Sequence, residues 1–371
     1  MSRSFSAAII APLVVLSGCA GTRVDNTSIT APTDIGRTMR WSSSVLAQAP
    51  AWFASSEARA LADSVLRYQS PEGGWPKNTD LSVPPRSPAD LPPPNVSNTI
   101  DNNATTLPLQ FLARMIHATG DQEYLRAFNR GFDYLAVAQY PTGGWPQFYP
   151  IRKGYYSRIT FNDDATVRAA RLMRDAASGR GAFAFVDPVR RMTASTAVGR
   201  ATDVILRTQV RQNGQRTAWA AQYDEHTLAP APARAFEPAS LSGSETVGIT
   251  RFLMSIENPP PEVIAAVEGA VRWLESVKIT GMRLEDFVDA QGKPDRRLVV
   301  DAAAKPIWAR FYDLGTNEPI FTSRDAVIHR DYGNLEAERR MGYTFLGTWP
   351  ADLIAREYPA WRQKVGRPVQ S

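Results

Sequence analysis

Apolar residues recur every three or four positions through most of this chain, a spacing that predicts helix after helix. Ser55 or Ser56 caps a first helix running to about Tyr68, with Ala60, Leu61, Val65 and Leu66 on one face. A second opens at 101–105 and carries the stripe Leu107, Phe111, Leu112, Met115 and Ile116 until Gly120 closes it. A third covers 121–140, with Tyr124, Leu125, Phe128, Phe132 and Leu135 spaced along one side. The pattern predicts further helices near 163–177, 188–210, 240–256 and 260–277. Residues 81–94 form a proline-rich excursion, and 217–238 lack periodicity. After Ile279 the pattern changes: 297–301, 309–312 and 319–328 read as short strands, before helices near 334–346 and 350–364. No boundary interrupts 51–371, so one mainly helical domain with β excursions is expected there.

A repeat is laid over this pattern. Gln69 to Pro76 and Gln139 to Pro146 share a Gln, a Gly-Gly pair and a Trp-Pro pair at identical spacing, each copy following a helix. One helical pair per repeat, with matching turns, predicts hairpins arranged around a ring. The two tryptophans read as architectural: a Gly-Gly turn lets a large indole fold back over a helix end.

Composition narrows the class. The chain has 371 residues, 43% hydrophobic and 21% charged, as in ordinary globular proteins. Its net charge is +5, yet Lys and Arg are scattered without a run, so no nucleic-acid partner is indicated. A basic balance suits an acidic substrate. At the start, Arg3 precedes an apolar run (Ala7 to Leu16) too short to span a bilayer, followed by Leu16-Ser17-Gly18-Cys19. That ending resembles the bacterial lipoprotein lipobox, which makes 1–19 a signal peptide and Cys19 the lipidated residue. A plain secretory signal cut near Ala20 is the alternative. Residues 20–50, rich in Ser, Thr, Ala and Pro, read as a flexible tether to the domain at 51–371. The expected location is the bacterial cell envelope, with membrane contact only through the anchor. Cys19 is the only cysteine, so no disulfide is expected.

Candidate chemistry gathers in loops. Asp101-Asn102-Asn103 and Asn162-Asp163-Asp164 each open a helix. Their oxygens could equally cap the helix or hold a hard cation. Lys77, Arg234, Glu237, Arg310 and Arg324 also fall in loops. His117, His226 and His329 share no metal-ligand spacing, and neither a nucleophilic-serine elbow nor a phosphate-binding glycine loop is present. Carboxylates, amides and loop arginines remain, a set suited to a polyanion held with a divalent ion.

Several motifs in order make the chain similar to the pectate lyases of polysaccharide lyase family 10. They are Gly73-Gly74-Trp75-Pro76-Lys77-Asn78, Thr99-Ile100-Asp101-Asn102, Gly143 to Pro150, Ile159 to Asp164, Ala233 to Glu245, Ala309 to Asn317, and Pro319-Ile320-Phe321 with Arg324-Asp325. The likeness spans about 50–348, departing at Asn103, where a small residue is expected. It implies a mainly α fold, an (α/α) toroid of hairpins with an open cleft. It also implies a monomer that cleaves polygalacturonate by calcium-assisted β-elimination, giving 4,5-unsaturated oligogalacturonides. By motif, Asp101, Asn102 and Asp163 resemble the calcium ligands and Arg234 the base. Arg310 and Arg324 resemble carboxylate-binding arginines, with Lys77, Asp164 and Glu237 as further substrate contacts. The rivals are an inactive lipid-anchored pectin-binding protein, a toroid glycoside hydrolase needing an acid/base carboxylate pair, and a terpene cyclase-like enzyme.

Overall fold

The computed structural model describes residues 39–366, which fall within one compact unit. Cys19, the signal peptide and 20–38 lie outside the described residues. Seven long helices build the body: α1 (Ser56–Arg67), α2 (Thr106–Thr119), α3 (Gln122–Ala138), α4 (Ala165–Ser178), α5 (Pro188–Thr208), α6 (Glu245–Met254) and α7 (Pro261–Ser276). They pair as hairpins: α2 packs on α3, α4 on α5 and α6 on α7. Across pairs, α2 touches α4 and α4 touches α6, while α1, α3, α5 and α7 touch in sequence outside them. This is the expected α/α toroid, an inner ring of helices within an outer one. The inner helices are the most buried along their length: α2 buries Leu107, Leu109, Phe111, Leu112, Met115 and Ile116, because it faces both the ring interior and its partner.

The repeat explains how the ring closes. Trp75, Trp145, Trp219 and Trp308 are all buried, and each indole Nε1 donates to a carbonyl near the end of the preceding outer helix: Val65, Leu135, Ile205 and Leu274. Each glutamine does the complementary task. The amides of Gln69, Gln139 and Gln209 donate to their own turn and to the next outer helix, at Ala127, Ala197 and Ala266. Gly73 and Gly143, at φ +104° and +108°, press against that helix; a Cβ there would meet the carbonyls of Arg130 and Arg200 at 2.4 and 2.1 Å.

The structure corrects several boundaries. Within 39–50 of the expected tether, Val45 is fully buried and Trp41 meets Phe111 of α2 edge-on at 5.6 Å, while Arg40 and the serines at 42–44 stay exposed. Leu241–Ser242 is a strand paired with Phe311–Tyr312, so the helix expected from 240 begins at Glu245. The strand expected at 297–301 is half of a longer hairpin, Met282–Val288 with Pro294–Val300. The helix expected at 334–346 shrinks to α8 (Ala337–Gly342), because Leu346–Gly347 pairs with Trp308–Ala309 instead. The last helix opens with a π-helical turn, Leu353–Glu357, before α9 (Tyr358–Val365). No described helix is long and apolar enough to cross a membrane.

Candidate active site

The loops that enter the inner helices meet at one end of the ring. Asn102, Asn103, Asp163 and Asp164 all adopt left-handed backbone, with φ between 50° and 63°. Consecutive left-handed residues cost free energy that Asn and Asp bear better than other side-chain-bearing residues. The turn places Thr105 and Thr166 at equivalent points, each hydroxyl donating to the carbonyl six residues back. It also explains why Asn replaces a small residue at 103: the requirement is positive φ, which Asn meets.

A second repeat-derived position supplies the counter-charges. Two residues after each buried tryptophan stand Lys77, Gln147, Ala221 and Arg310. Lys77 Nζ donates to Asp101 Oδ2 at 2.6 Å and Gln147 Nε2 to the same oxygen at 2.7 Å. Arg310 Nη2 reaches Asp163 Oδ1 at 3.0 Å and Glu245 Oε1 at 2.7 Å. Asn102 donates to Asn78 at 2.9 Å, which leaves its own carbonyl oxygen without a bond. Asp101, Asn102 and Asp163 thus lie in neighbouring loops. Burial holds the Asp163 carboxyl above the usual range; Arg310 opposes this, and Glu245 and Asp101 add to it.

Beyond Arg310 the site continues through Tyr343. Its ring lies 5.5 Å from the Arg310 guanidinium, and its hydroxyl donates to Glu237 Oε1 at 3.0 Å. Glu237 in turn takes two bonds from Arg234, Nε to Oε2 at 2.8 Å and Nη2 to Oε1 at 2.5 Å. The Arg234 side chain remains 47% exposed above a Glu237 side chain that is 10% exposed. Arg234, Arg324 and Arg339 all stack around Phe236, at 4.7, 5.6 and 4.3 Å from its ring.

The other expected residues divide. Arg324 is at the exposed rim, bonded to Glu338 through Nε and Nη2. Lys77 is occupied by Asp101 rather than free. Asp164 turns from the cleft toward α6, where its Oδ1 fills the space a Cβ on Gly248 would need, 1.8 Å away. Glu237, expected as a substrate contact, is buried, with both oxygens taken by Arg234 and Tyr343. Sequence reasoning missed Glu245, Gln147 and Tyr343. Gln147 carries a signal, in that it repeats Lys77; Glu245 carries none, since it stands before Thr246 where alanines, Ala104 and Ala165, stand before Thr105 and Thr166. Tyr343 has none, because it arrives from the far C-terminal segment.

Comparison with known proteins follows the same lines. Residues 69–354 match the family model described as pectic acid lyase. A solved family 10 polysaccharide lyase from Cellvibrio cellulosa is 36% identical, covering 85% of this chain and 95% of its own, with a TM-score of 0.72. A mutant of the family 10 lyase from Cellvibrio cellulosa, solved in complex with trigalacturonic acid, is 35% identical over 89% of this chain and 100% of its own, also at 0.72. No curated protein sequence matches. Matched over most of its length to that model and to those structures, the chain belongs to the pectic acid lyases of polysaccharide lyase family 10 and is a polysaccharide lyase.

Proposed function

We propose that this lyase cleaves α-1,4-linked polygalacturonate by β-elimination, with Arg234 as the base and calcium as cofactor. The observation that carries the reading is the unbroken chain Asp163–Arg310–Tyr343–Glu237–Arg234. It sets a half-exposed guanidinium beside a cluster of carboxylates and arginines. The trigalacturonate held by the Cellvibrio cellulosa relative supports the substrate class.

The donor set fits a hard cation. Among the described residues Lys77 and Arg310 are the cations bonded to Asp101, Asp163 and Glu245, so three carboxylates meet two cations and a negative charge is left over, although no three acidic or histidine side chains gather closely enough to hold an ion by themselves. Asp101, Asn102 and Asp163 would hold the calcium ion, with substrate or water completing the six to eight oxygens it prefers. Bound there, it supplies positive charge against the substrate carboxylate.

The chain's own residues do the rest. Arg310 and Arg324 bind carboxylates of the polymer, Arg310 at the reacting sugar and Arg324 at the rim. The C5 proton is α to a carboxylate and weakly acidic, so cations on that carboxylate stabilise the charge that develops as it leaves. Arg234, in neutral form, takes the proton; the C5–H electron pair becomes the C4–C5 double bond, the C4–O bond breaks, and the departing oxygen takes a proton from water. A neutral arginine requires alkaline conditions, since its ordinary pKa is above about 12. Lys77 keeps Asp101 oriented, and Asp164 supports the turn that presents Asp163. We also place the protein in the bacterial envelope on a lipid at Cys19, a reading tested by metabolic labelling with palmitate.

The test is ultraviolet absorbance of the unsaturated uronide when the full chain meets polygalacturonate at alkaline pH, with calcium or with chelator. A calcium-dependent rise that Arg234→Ala abolishes is expected. Release of saturated oligomers with no absorbance would overturn elimination in favour of hydrolysis.

A further inference from the structure

Arg234 and Glu237 are three residues apart on one tight turn, closed by the Glu237 amide donating to the Arg234 carbonyl at 2.8 Å. The turn leaves the two side chains no separation: both Nε and Nη2 of the guanidinium are committed to the carboxylate. The Arg234 amide points at the same carboxylate, 3.3 Å from Oε2, and the Tyr343 phenol adds another donor. The guanidinium face rests on Phe236. Nη1 is the nitrogen with no partner among the described residues, on a side chain that is half-exposed.

Building on the reading of Arg234 as the base, we infer that Glu237 is a positioning residue: it turns Nη1 toward the substrate and governs when that nitrogen is neutral. An unclamped arginine would sample many rotamers and offer any of three nitrogens. The bidentate grip removes that freedom before substrate arrives, which is the usual source of positioning advantage.

The grip has an electrostatic consequence of opposite sign. The bonds from Glu237 raise Arg234 above its ordinary range, burial opposes this, and the charge of Glu237 adds to the rise; Tyr343 and Tyr155 also face the group but are neutral phenols at working pH and would add to the rise only once ionised. Arg324 and Arg339 face the same group as cations and push the other way. Glu237 dominates this set. The base is therefore well aimed and strong, but protonated except at high pH. Binding of the anionic polymer leaves the clamp intact, since Glu237 is buried beneath Arg234.

The experiment is the pH dependence of kcat in the full chain, wild type against Glu237→Gln and Tyr343→Phe. In wild type, log kcat is expected to rise with pH across the whole accessible range. Glu237→Gln removes the negative charge while keeping an acceptor oxygen, so the acid limb should move at least one unit lower and a plateau enter the range. Tyr343→Phe keeps the ring but strips a donor from Glu237, tightening its hold on Arg234, and should move the limb the other way. Unshifted limbs with a raised KM in Glu237→Gln would overturn the inference and return Glu237 to substrate binding. Tyr343→Phe keeps the test decisive if Glu237→Gln fails to fold: its log kcat should run below wild type at every accessible pH and still rise without a plateau, and an unchanged profile or a plateau entering the range overturns the inference. Full activity in Arg234→Ala would instead defeat the base assignment itself.

Discussion

Arg310 and Asp163 lie 147 residues apart in the chain and meet with Nη2 3.0 Å from Oδ1. The same nitrogen holds Glu245, whose side chain is 1% exposed. Arg310 is thus both a candidate substrate ligand and, among the described residues, the only cation bonded to the buried Glu245 carboxylate. Removing it should cost stability as well as rate. Arg310→Ala is expected to lower stability by about 3 kcal/mol or more, the scale for stranding one partner of a buried pair. Arg310→Lys should recover most of the melting temperature but little of the activity, because a point charge cannot serve two carboxylates and a sugar at once. Parallel loss or parallel recovery of both properties would contradict this division.

Calcium should matter to turnover more than to folding. Lys77 and Gln147 already bond Asp101, and Arg310 already bonds Asp163. With each proposed carboxylate ligand partnered, the fold does not depend on a metal to relieve bare like charges. Chelator is therefore expected to abolish activity while leaving the thermal midpoint nearly unchanged. A fall of many degrees would mean that these contacts do not stand in for the ion.

The repeat predicts a graded set of glutamine variants. Gln139 and Gln209 are buried, and each amide serves a turn carbonyl with no other donor among the described residues as well as a carbonyl inside the next outer helix. Gln69 makes the same bonds from a less buried place. Leaving buried acceptors unpaired costs about 1–3 kcal/mol each. Gln139→Ala and Gln209→Ala should each lose a few kcal/mol in urea unfolding, and Gln69→Ala less, since water can replace it. Equal losses at all three positions would show that exposure is not what grades them.

Those glutamines also show what could be read before the fold was seen. Two copies of the turn share exact spacing, Gln69 to Trp75 and Gln139 to Trp145, and they were enough to predict a ring of hairpins. The third copy hides in plain view. Gln209 continues the series at the same interval, but Trp219 is displaced by an inserted hairpin, Arg211–Gln212 with Gln215–Arg216, that replaces the Gly-Gly pair. The fourth, at Trp308, is masked further by the hairpin Met282–Val288 with Pro294–Val300. The site behaved likewise. Residues on local loops, such as Asp101 and Asp163, announced themselves by composition. Tyr343 and Glu245 did not, because their roles depend on strand pairing between distant segments, and periodicity carries no record of that.

That second inserted hairpin has its own anchor, and it makes stability depend on pH in a defined direction. Asp295 on the hairpin takes two bonds from Arg340 on α8, Nε to Oδ1 at 2.9 Å and Nη2 to Oδ2 at 2.6 Å, with side chains 9% and 14% exposed. The bonds from Arg340 hold the Asp295 carboxyl below its usual range, against burial and helped by the Arg296 amide. A group depressed in the folded state stabilises the fold above its unfolded pKa of about 3.9, and that contribution is lost as pH falls through the folded value. Asp295→Asn should therefore cost about 2 kcal/mol at neutral pH, the scale of hydrogen bonds to charged groups. The deficit should persist down to about pH 4, then shrink as the wild-type carboxylate protonates. Thermal unfolding of both proteins from acid to neutral pH measures it. A deficit that stays constant below that point would mean that Asp295 acts through shape and not through charge.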